Sequence, residues 1–299
     1  MERNVIEFRA MKNASAKNRV IALSADPPRA SGFIVTIYGD IAEPRSGTLS
    51  MATLIDCCAA HGISSSLVRT AVSRLVANGR LVGEKKGRRS FYRLTDEGRE
   101  EFASAARVFY APPPEASGWL IALGASAGSV MDAAPAWVRL GPDAAIAPDR
   151  SDLVRPAGSL LSSEAVAGEA DLPAFAASHW PLDEVADRYR SFIEAFQPIA
   201  DGLHAGHAPS GPDALALRLR LVHRYRYPAL ADPRLPRAAL PRDWPGHVAR
   251  RIFIGCYLAL AAAADRHIGE TCEDAVGLLA EETAETRLRI DRLRREAIR

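Results

Sequence analysis

One stretch of the chain concentrates side chains that can bind a polyanion. In and just before a predicted helix from Leu67 to Ala77, polar side chains fall on one face, namely Ser66, Arg69, Thr70, Ser73 and Arg74. Arginine can pair with both acceptors of guanine, and hydroxyls can bond base edges or phosphates. The pattern therefore predicts a helix that enters the major groove of DNA, although an ordinary solvated amphipathic helix has the same pattern.

A predicted hairpin from Leu81 to Leu94 follows that helix. It carries four cations beside a turn at Gly87, and these are Lys85, Lys86, Arg88 and Arg89. Crowded cations repel one another, and DNA phosphates account for them because each neutralised phosphate releases condensed counterions. Lysines on an edge strand also prevent aggregation between sheets, which is the structural alternative. Because the helix and the hairpin occur in this order, we predict that both bind DNA.

The neighbouring segments predict how this helix and hairpin are positioned. An apolar stripe on the other face of the helix should pack on a core, and its members are Val68, Ala71, Val72, Leu75 and Val76. The hydroxyls of Ser64 to Ser66 can cap the helix start. A helix from Met51 to Cys58 precedes it, and Thr95 to Arg99 begins another helix after the hairpin. This order predicts a winged helix-turn-helix between residues 31 and 111.

The basic character is local. The 299 residues carry a net charge of only +2 and are 48% apolar, enough for two or three domains with real cores. Between Ser64 and Glu100, however, nine cations outnumber four carboxylates, a local charge of +5. The rest of the chain is slightly acidic and need not touch DNA.

Cysteine usage and hydropathy predict a cytoplasmic location. The cysteines form no CxxC pair and have no histidine at ligand spacing, so we expect Cys57, Cys58, Cys256 and Cys272 to be small buried hydrophobes in a reducing compartment. The sequence contains no run of about 18 apolar residues, so we predict no membrane span. Met1 to Pro28 has no hydrophobic signal core, and residues 1–30 are predicted to be a polar N-terminal arm.

The middle of the chain is predicted to be a small α/β unit. Pro112 to Pro114 marks its start. Apolar runs predict four strands, at Trp119–Leu123, Ala136–Pro142, Ala144–Pro148 and Leu153–Arg155.

Beyond Pro181 the pattern is helical. One stripe predicts a helix on Leu182, Val185, Tyr189, Phe192 and Phe196. A second helix, Leu215 to Tyr225, should turn Leu217, Leu221 and Val222 inward and Arg218, Arg220 and Arg224 elsewhere. Prolines exclude helix from Tyr227 to Pro236 and from Leu240 to Gly246. An apolar helix resumes from His247 to Ala264.

Several separated phrases resemble one known family. Gly32 to Asp40, Leu67 to Leu75 and Gly87 to Thr95, with Leu221 to Arg226 and Asp243 to Gly246 further on, are similar to the phenylacetate-degradation repressor family (PaaX). The resemblance covers nearly the whole chain from about residue 31. It implies an α+β fold with a winged helix at 31–111, a ferredoxin-like (Cas2-like) dimerisation domain at 112–180 and a helical C-terminal domain at 181–299. One departure concerns residues 125–135, which are small and nearly uncharged where the family has a longer helix rich in Arg and Leu.

The resemblance also implies partners. Such proteins repress catabolic operons by binding double-stranded operator DNA, and they release it when an aryl-acyl-CoA, typically phenylacetyl-CoA, binds. A CoA thioester needs cations beside an apolar pocket, which makes His223, Arg224, Arg226 and Trp244 the candidate effector residues. The alternative is that proline and tryptophan hold the fold there while the arginines pair with Asp232 and Asp243.

A homodimer is expected as well, because two-fold regulators read paired half-sites. The last helix offers a possible seam at Val276, Leu279, Thr283, Thr286, Ile290, Leu293 and Ala297. Packing against the chain's own C-terminal domain explains the same stripe.

Two other classes of function were weighed. A Cas2-like nuclease would need a carboxylate at the end of its first strand, but Leu123 is followed by Gly124-Ala125-Ser126. No phosphate loop, GxSxG or HExxH motif occurs, and His204 and His207 are expected to be loop residues rather than metal ligands. We therefore predict no enzyme, no catalytic residue, no metal and no cofactor. The remaining alternative is a DNA-binding regulator controlled by a protein partner without a small-molecule effector.

Overall fold

The computed structural model describes residues 27–124, Ala127 and 136–298, and its fold is mixed α+β as predicted. Most of the predicted N-terminal arm and most of the atypical stretch 125–135 lie outside the described residues. The chain forms two compact units. The first joins the segment ending at Ala111 to Phe192–Arg226 and Arg250–Arg299, and the second joins Pro112–Ser191 to Tyr227–Ala249. One unit boundary lies between Ala111 and Pro112, and residues 181–299 contribute to both units.

The first unit begins with three helices and a three-stranded antiparallel sheet of order β1-β3-β2. The helices are α1 (Ala30–Ile37, continued by a π turn, Tyr38–Ala42), α2 (Met51–Ala59) and α3 (Ser65–Ala77), and the strands are β1 (Thr48–Ser50), β2 (Leu81–Lys86) and β3 (Arg89–Leu94). Helix α4 (Asp96–Tyr110) follows. Side chains cap the helix starts, because the hydroxyls of Ser50, Ser64 and Thr95 accept backbone N–H bonds. The predicted order of helices and hairpin is confirmed.

The apolar stripe of α3 is narrower than predicted. Val68, Ala71 and Val72 are buried, but Leu75 is half-buried and Val76 is 38% exposed. Leu75 borders an open cavity, also lined by Arg80 and Phe102, so the last turn of α3 packs less closely than the first two.

Four long helices lie mostly in the first unit, namely α6 (Leu182–His204), α7 (Gly211–Ala231), α8 (Gly246–Thr271) and α9 (Ala284–Ala297). The predicted stripe on α6 is buried. Leu217, Leu221 and Val222 of α7 are buried as predicted, but Arg218 and Arg220 are buried too, at 1% and 3% exposure. The expectation that these arginines lie away from the core was wrong; Arg218 pairs with the buried Asp40 and the half-buried Asp265.

Helix α8 is long and apolar enough to cross a membrane by length and composition alone. Within the protein, 56% of its most apolar stretch is buried, and Phe253, Tyr257 and Leu260 are almost inaccessible to solvent. The ring of Phe253 stacks on Tyr225 at 4.3 Å between centroids. It is therefore packed as a core helix.

Three predicted boundaries need correction. Helix α7 continues through Pro228 to Ala231, so helix was wrongly excluded at its last turn; the carbonyl of Pro228 still accepts from the N–H of Asp232 at 2.9 Å. Leu153 to Arg155 is not a strand, since Leu153 N–H closes a turn onto the Arg150 carbonyl and Pro156 follows. The predicted seam of the last helix begins too early, because Thr283 caps α9 and Val276, before it, is 94% exposed.

The second unit contains a four-stranded antiparallel sheet of order β5-β6-β4-β7. Its strands are β4 (Trp119–Leu123), β5 (Val138–Gly141), β6 (Ala144–Pro148) and β7 (Leu160–Ser163), and α5 (Leu172–His179) follows them. Three of these strands match the predictions, and β7 takes the place of the strand expected at Leu153–Arg155. Trp180 is buried and donates its indole N–H to the carbonyl of Ala136 at 3.1 Å.

Candidate nucleic-acid interface

The polar face of α3 is open to solvent as predicted. All five of its members are exposed, and these are Ser66, Arg69, Thr70, Ser73 and Arg74. Ser64 Oγ accepts from Leu67 N–H at 3.4 Å and lies 3.0 Å from Ser66 Oγ, so the hydroxyls at the helix start serve partly as a cap. Thr70 donates its hydroxyl to the Ser66 carbonyl at 2.9 Å. The two arginines of this face form no ion pair with any carboxylate that the structure describes.

A shallow cleft of about 350 Å³ joins this face to the hairpin. Arg69 of α3, Arg88 of the turn and Arg89 of β3 line it, together with Ser50, Met51, Ala52, Ile55, Asp56 and Ser90. Asp56 is the carboxylate in this lining, so cations predominate. The structure thus brings together one arginine of the helix and two of the hairpin, which the sequence placed about 20 residues apart.

The four hairpin cations fall into two pairs. Gly87 has a φ of 63°, the left-handed conformation that the tight turn requires. Lys85 and Arg88, on either side of it, are exposed and have no ion-pair partner among the described residues. Arg89 forms an ion pair with Glu273 and lies over the ring of Phe91 at 5.4 Å. Lys86 donates to the carbonyl of Ala275 at 2.8 Å.

The partners of Lys86 and Arg89 belong to residues 272–279, which we call the clasp segment. The Glu273 N–H donates to Thr53 Oγ1 at 3.0 Å, and the Glu273 carbonyl accepts from Ser50 N–H at 2.9 Å. The clasp segment is thereby bound to the start of α2 as well as to the hairpin. Sequence reasoning missed it, since nothing local to Glu273 connects it to a hairpin more than 180 residues earlier.

A buried ion cluster holds α1 in place. Asp40 is 1% exposed; it accepts from Arg218 Nε at 2.8 Å and from the hydroxyls of Tyr110 and Tyr257 at 3.0 and 2.9 Å. Arg289 Nη1 lies 3.5 Å from Asp40 Oδ1. Burial opposes ionisation of Asp40, but Arg218, Arg289 and the two hydroxyls outweigh it, so the pKa of this carboxyl is lowered. The cluster ties the end of α1 to α7 through Arg218, to α8 through Tyr257 and to α9 through Arg289.

Two of the four candidate effector residues take part in packing α1. His223 is buried, and its Nδ1 is 3.0 Å from Thr36 Oγ1. Arg226 donates to the Gly32 carbonyl at 2.8 Å and to Thr36 Oγ1 at 3.1 Å. Arg224 is half-buried on the same helix. These three belong to the first unit.

Trp244 belongs to the second unit and lines a cavity of about 570 Å³ there. The other lining residues are Glu169, Ala170, Pro173, Arg237, Ala238, Leu240, Pro241, Arg242 and His247. His223, Arg224 and Arg226 are not among them. Arginine side chains were expected to pair with Asp232 and Asp243. The hydrogen bonds that Asp232 accepts come from the backbone N–H of Arg234 and from the Tyr189 hydroxyl.

The histidines considered for metal binding make local hydrogen bonds. His204 Nδ1 is 2.7 Å from the Ala200 carbonyl and His207 Nδ1 is 3.0 Å from the Gly202 carbonyl. In the described part of the chain, no group of three or more His, Cys, Asp or Glu side chains is arranged to hold a metal ion.

Comparison with known proteins identifies the family. Residues 29–98 match a family model described as PaaX-like protein, and residues 180–270 match the PaaX-like protein C-terminal domain. The chain belongs to the PaaX-like protein family. A relative from Escherichia coli (strain K12), "Transcriptional repressor PaaX", is 30% identical to this PaaX-like chain over 282 residues, 86% of this chain and 89% of the relative. A family of transcriptional repressors is not a family of enzymes, so the prediction that this chain is not an enzyme is confirmed.

A solved structure, the uncharacterized protein Rv0674 from Mycobacterium tuberculosis, is 21% identical to this PaaX-like chain. The match covers 72% of this chain and 90% of that one, with a TM-score of 0.43.

Proposed function

We propose that this protein is a transcriptional repressor that binds double-stranded operator DNA through a winged helix-turn-helix at residues 31–111. The observation that carries the proposal is the cleft in which Arg69 of α3 meets Arg88 and Arg89 of the hairpin. A helix with an exposed Arg, Ser and Thr face fits the major groove, and cations on an adjacent hairpin fit the phosphate backbone. The repressor named among its relatives supports the same function.

The test separates base readout from phosphate contacts. Arg74→Ala should weaken binding to the preferred sequence by about 1–3 kcal/mol and relax the base preference, because it removes a side chain that reads base edges. Lys85→Ala and Lys86→Ala should weaken all sequences alike and reduce the salt slope by about 1 each, because each removes a phosphate contact. Fluorescence anisotropy with the DNA upstream of the protein's own gene, at several salt concentrations, measures both effects.

A matched control is Arg190→Ala, since Arg190 is an exposed arginine that pairs with Asp187 on the surface of α6. It should bind DNA as the parent does. Binding that is insensitive to salt, or equal affinity of Arg74→Ala and the parent for every sequence, would contradict the proposed interface.

We propose that the second unit is the ferredoxin-like (Cas2-like) dimerisation domain. Its sheet order β5-β6-β4-β7 corresponds to 2-3-1-4 when its strands are numbered along the chain, which is the order of a split βαβ sheet. The likeness to a ferredoxin-like domain is incomplete, because residues 149–159, between β6 and β7, contain no helix. The dimer-seam stripe on α9 is a weaker candidate, because Thr286 and Leu293 are already buried within the first unit.

A homodimer predicts a mass about twice the 32.2 kDa of one chain in light scattering at micromolar concentration. An exposed apolar residue of the sheet, Leu161, is 51% accessible and offers a test position. Leu161→Arg should shift the mass toward one chain if this sheet forms the interface. A parent protein that stays at one chain's mass would rule the dimer out.

The effector is proposed to be an aryl-acyl-CoA such as phenylacetyl-CoA, bound in the 570 Å³ cavity of the second unit. Arg237 and Arg242 offer charges for CoA phosphates, while Trp244, Leu240 and Pro241 offer apolar surface. This cavity supports the role of Trp244, whereas the contacts of His223 and Arg226 with α1 favour a packing role for them.

A thermal-shift experiment with phenylacetyl-CoA and other acyl-CoAs tests the effector. A ligand at 100 times its Kd should add about 2.7 kcal/mol to the free energy of unfolding, which raises the melting temperature. Arg242→Ala should reduce that increase, whereas the control Arg139→Ala, an exposed arginine of β5, should retain it. If no CoA ester raises the melting temperature or releases DNA, a protein partner takes the place of the effector. A repressor of this kind acts in the cytoplasm.

A further inference from the structure

Two cysteines from distant parts of the chain meet within the first unit. Cys57 lies on α2, Cys272 directly follows α8, and both line the same cavity. The backbone N–H of Glu273, the residue after Cys272, donates at 3.0 Å to Oγ1 of Thr53, which lies one helical turn before Cys57. The Sγ of Cys272 also lies 3.9 Å from Thr271 Oγ1. Both side chains are buried free thiols. Neither DNA binding nor effector binding, as proposed above, makes use of this pair.

Both cysteines line one small cavity. Its volume is about 240 Å³, and the other lining residues are Thr53, Asp56, Ala60, Pro212, Leu215, Ala216, Leu219, His267 and Thr271. The cavity is partly open to solvent, whereas the two cysteines are only 8% and 3% exposed. It therefore offers a small oxidant such as hydrogen peroxide a route to the pair.

The surroundings distinguish the two thiols. The neighbouring Cys57 thiol lowers the pKa of Cys272 against the effect of burial, with help from the Thr271 hydroxyl and the charges of Arg45 and Arg218. The neighbouring Cys272 thiol, followed by burial, Cys58 and Asp56, raises the pKa of Cys57. A thiolate is the reactive form of cysteine, so Cys272 is the nucleophile and Cys57 the resolving thiol.

We propose that Cys57 and Cys272 form a peroxide-sensitive dithiol whose disulfide fastens the clasp segment to helix α2. The Cys272 thiolate attacks one oxygen of hydrogen peroxide; an S–O bond forms, the O–O bond breaks, and the leaving hydroxide takes a proton to become water. Cys57 then loses its proton and attacks the sulfenic sulfur of Cys272, so that an S–S bond forms and a second water leaves. The two thiols lose two electrons, and the peroxide gains them.

The disulfide would act on the basic hairpin through the residues next to Cys272. Glu273 pairs with Arg89 and the Ala275 carbonyl accepts from Lys86, so a fastened clasp segment keeps both hairpin cations engaged within the protein. This consequence rests on the proposed DNA-binding function. If the two cations must leave the clasp segment to reach phosphates, oxidation should weaken DNA binding by at least about tenfold, because two phosphate contacts are lost.

The disulfide itself is tested without DNA. The full-length protein is treated with hydrogen peroxide, alkylated, digested and analysed by mass spectrometry without reduction. We expect a peptide containing Cys57 linked to the peptide containing Cys272, released by dithiothreitol, and absent from Cys57→Ser and Cys272→Ser. Cys58→Ser should keep the link, which distinguishes Cys57 from its neighbour, and Cys256→Ser is the control for an unrelated buried cysteine. No linked peptide, or loss of the link in Cys58→Ser, overturns the proposal.

The effect on DNA is measured separately, by anisotropy with reduced, oxidised and re-reduced protein. We expect oxidised parent protein to lose affinity and re-reduced protein to regain it, while Cys57→Ser binds equally before and after peroxide. If the linked peptide forms and affinity does not change, the action on the hairpin is refuted. If reduced protein binds no DNA at all, the proposed function fails, and the linked peptide still decides whether the dithiol exists.

Discussion

Replacing Asp40 with alanine is expected to lower the free energy of unfolding by about 3–5 kcal/mol, since the cations around it stay buried with one carboxylate fewer. Arg218 would keep only Asp265, at 2.8 Å, while remaining 1% exposed. Arg289 and the hydroxyls of Tyr110 and Tyr257 would lose their carboxylate acceptor. Urea unfolding of the full chain, followed by circular dichroism, measures the change.

Two comparisons make the Asp40 experiment specific. Asp40→Asn retains an acceptor for the tyrosine hydroxyls but lacks the negative charge, so its effect should lie between those of the parent and the alanine variant. Asp291→Ala removes a surface partner of Arg294, at 3.8 Å, and should change stability by no more than about 0.5 kcal/mol. An Asp40→Ala protein that unfolds within about 1 kcal/mol of the parent would show that the cluster is not a major source of stability.

The contribution of Asp40 also has a defined pH dependence. Its pKa in the folded state is below the ordinary value of 3.8, so the folded state favours the ionised form. That contribution is present above the unfolded-state pKa and is lost as the pH falls through the lower folded-state pKa. The contribution of Asp40 to stability is therefore constant between neutral pH and about pH 5.

A decrease from pH 7.5 to pH 5.0 is expected to destabilise the first unit by about 4 kcal/mol through two histidines. Burial, with the charge of Arg220, lowers the pKa of His61 to about 3. Burial, with Arg226 and Arg220 next in effect, lowers the pKa of His223 to about 3 as well. The two imidazoles flank the ring of Phe33, at 4.4 and 5.2 Å between centroids.

The sign follows from the order of the two pKa values. Below the unfolded-state value of 6.5, the unfolded chain binds a proton at each histidine, and the folded chain does not until about pH 3. Folding stability therefore falls by about 1.4 kcal/mol per pH unit for each histidine, or about 2 kcal/mol each at pH 5. Neither ring nitrogen of His61 has a hydrogen-bond partner in the described part of the chain, so nothing there compensates a proton.

Urea unfolding at both pH values, on the parent and on His61→Leu, measures this effect. The variant should lose about half of the pH dependence, because one of the two histidines is gone. A parent protein whose stability does not change between pH 7.5 and pH 5.0 would show that both imidazoles take up a proton, or are exposed, in the folded state, and a change of only about 2 kcal/mol would show this for one of them. The result also bears on the effector, because a buried neutral His223 that packs α1 cannot serve as a cation for CoA phosphates.

The elements that we propose to bind DNA were predictable because their signals are local. The polar and apolar faces of α3 follow from helical spacing, and the Ser64 and Thr95 caps occur directly before their helices. The hairpin follows from apolar runs around Gly87. Which of these residues bind DNA stays a prediction, as does the role assigned to Trp244.

The ion cluster and the clasp segment were not predictable because their contacts are not local. Charged residues such as Arg218 were expected to lie away from the core. Its partners Asp40, 178 residues earlier, and Asp265, 47 residues later, account for its burial. Likewise, Glu273 of the clasp segment pairs with Arg89 of the hairpin, and Lys86 of the hairpin donates to the carbonyl of Ala275, 189 residues later. Proline was a misleading signal as well: Pro228 was expected to exclude helix, but it lies in the last turn of α7.

The contact between Asp40 and Arg289 has a consequence for biosynthesis. The Asp40 carbonyl accepts from an arginine 249 residues later in the chain. At about 5–20 residues per second, the ribosome releases Asp40 roughly 10–50 s before it adds Arg289. During that interval the Asp40 carboxylate lacks one of its two cationic partners, although Arg218 is added before Arg289. The first unit can therefore complete this ion cluster only after residue 289 has been synthesised.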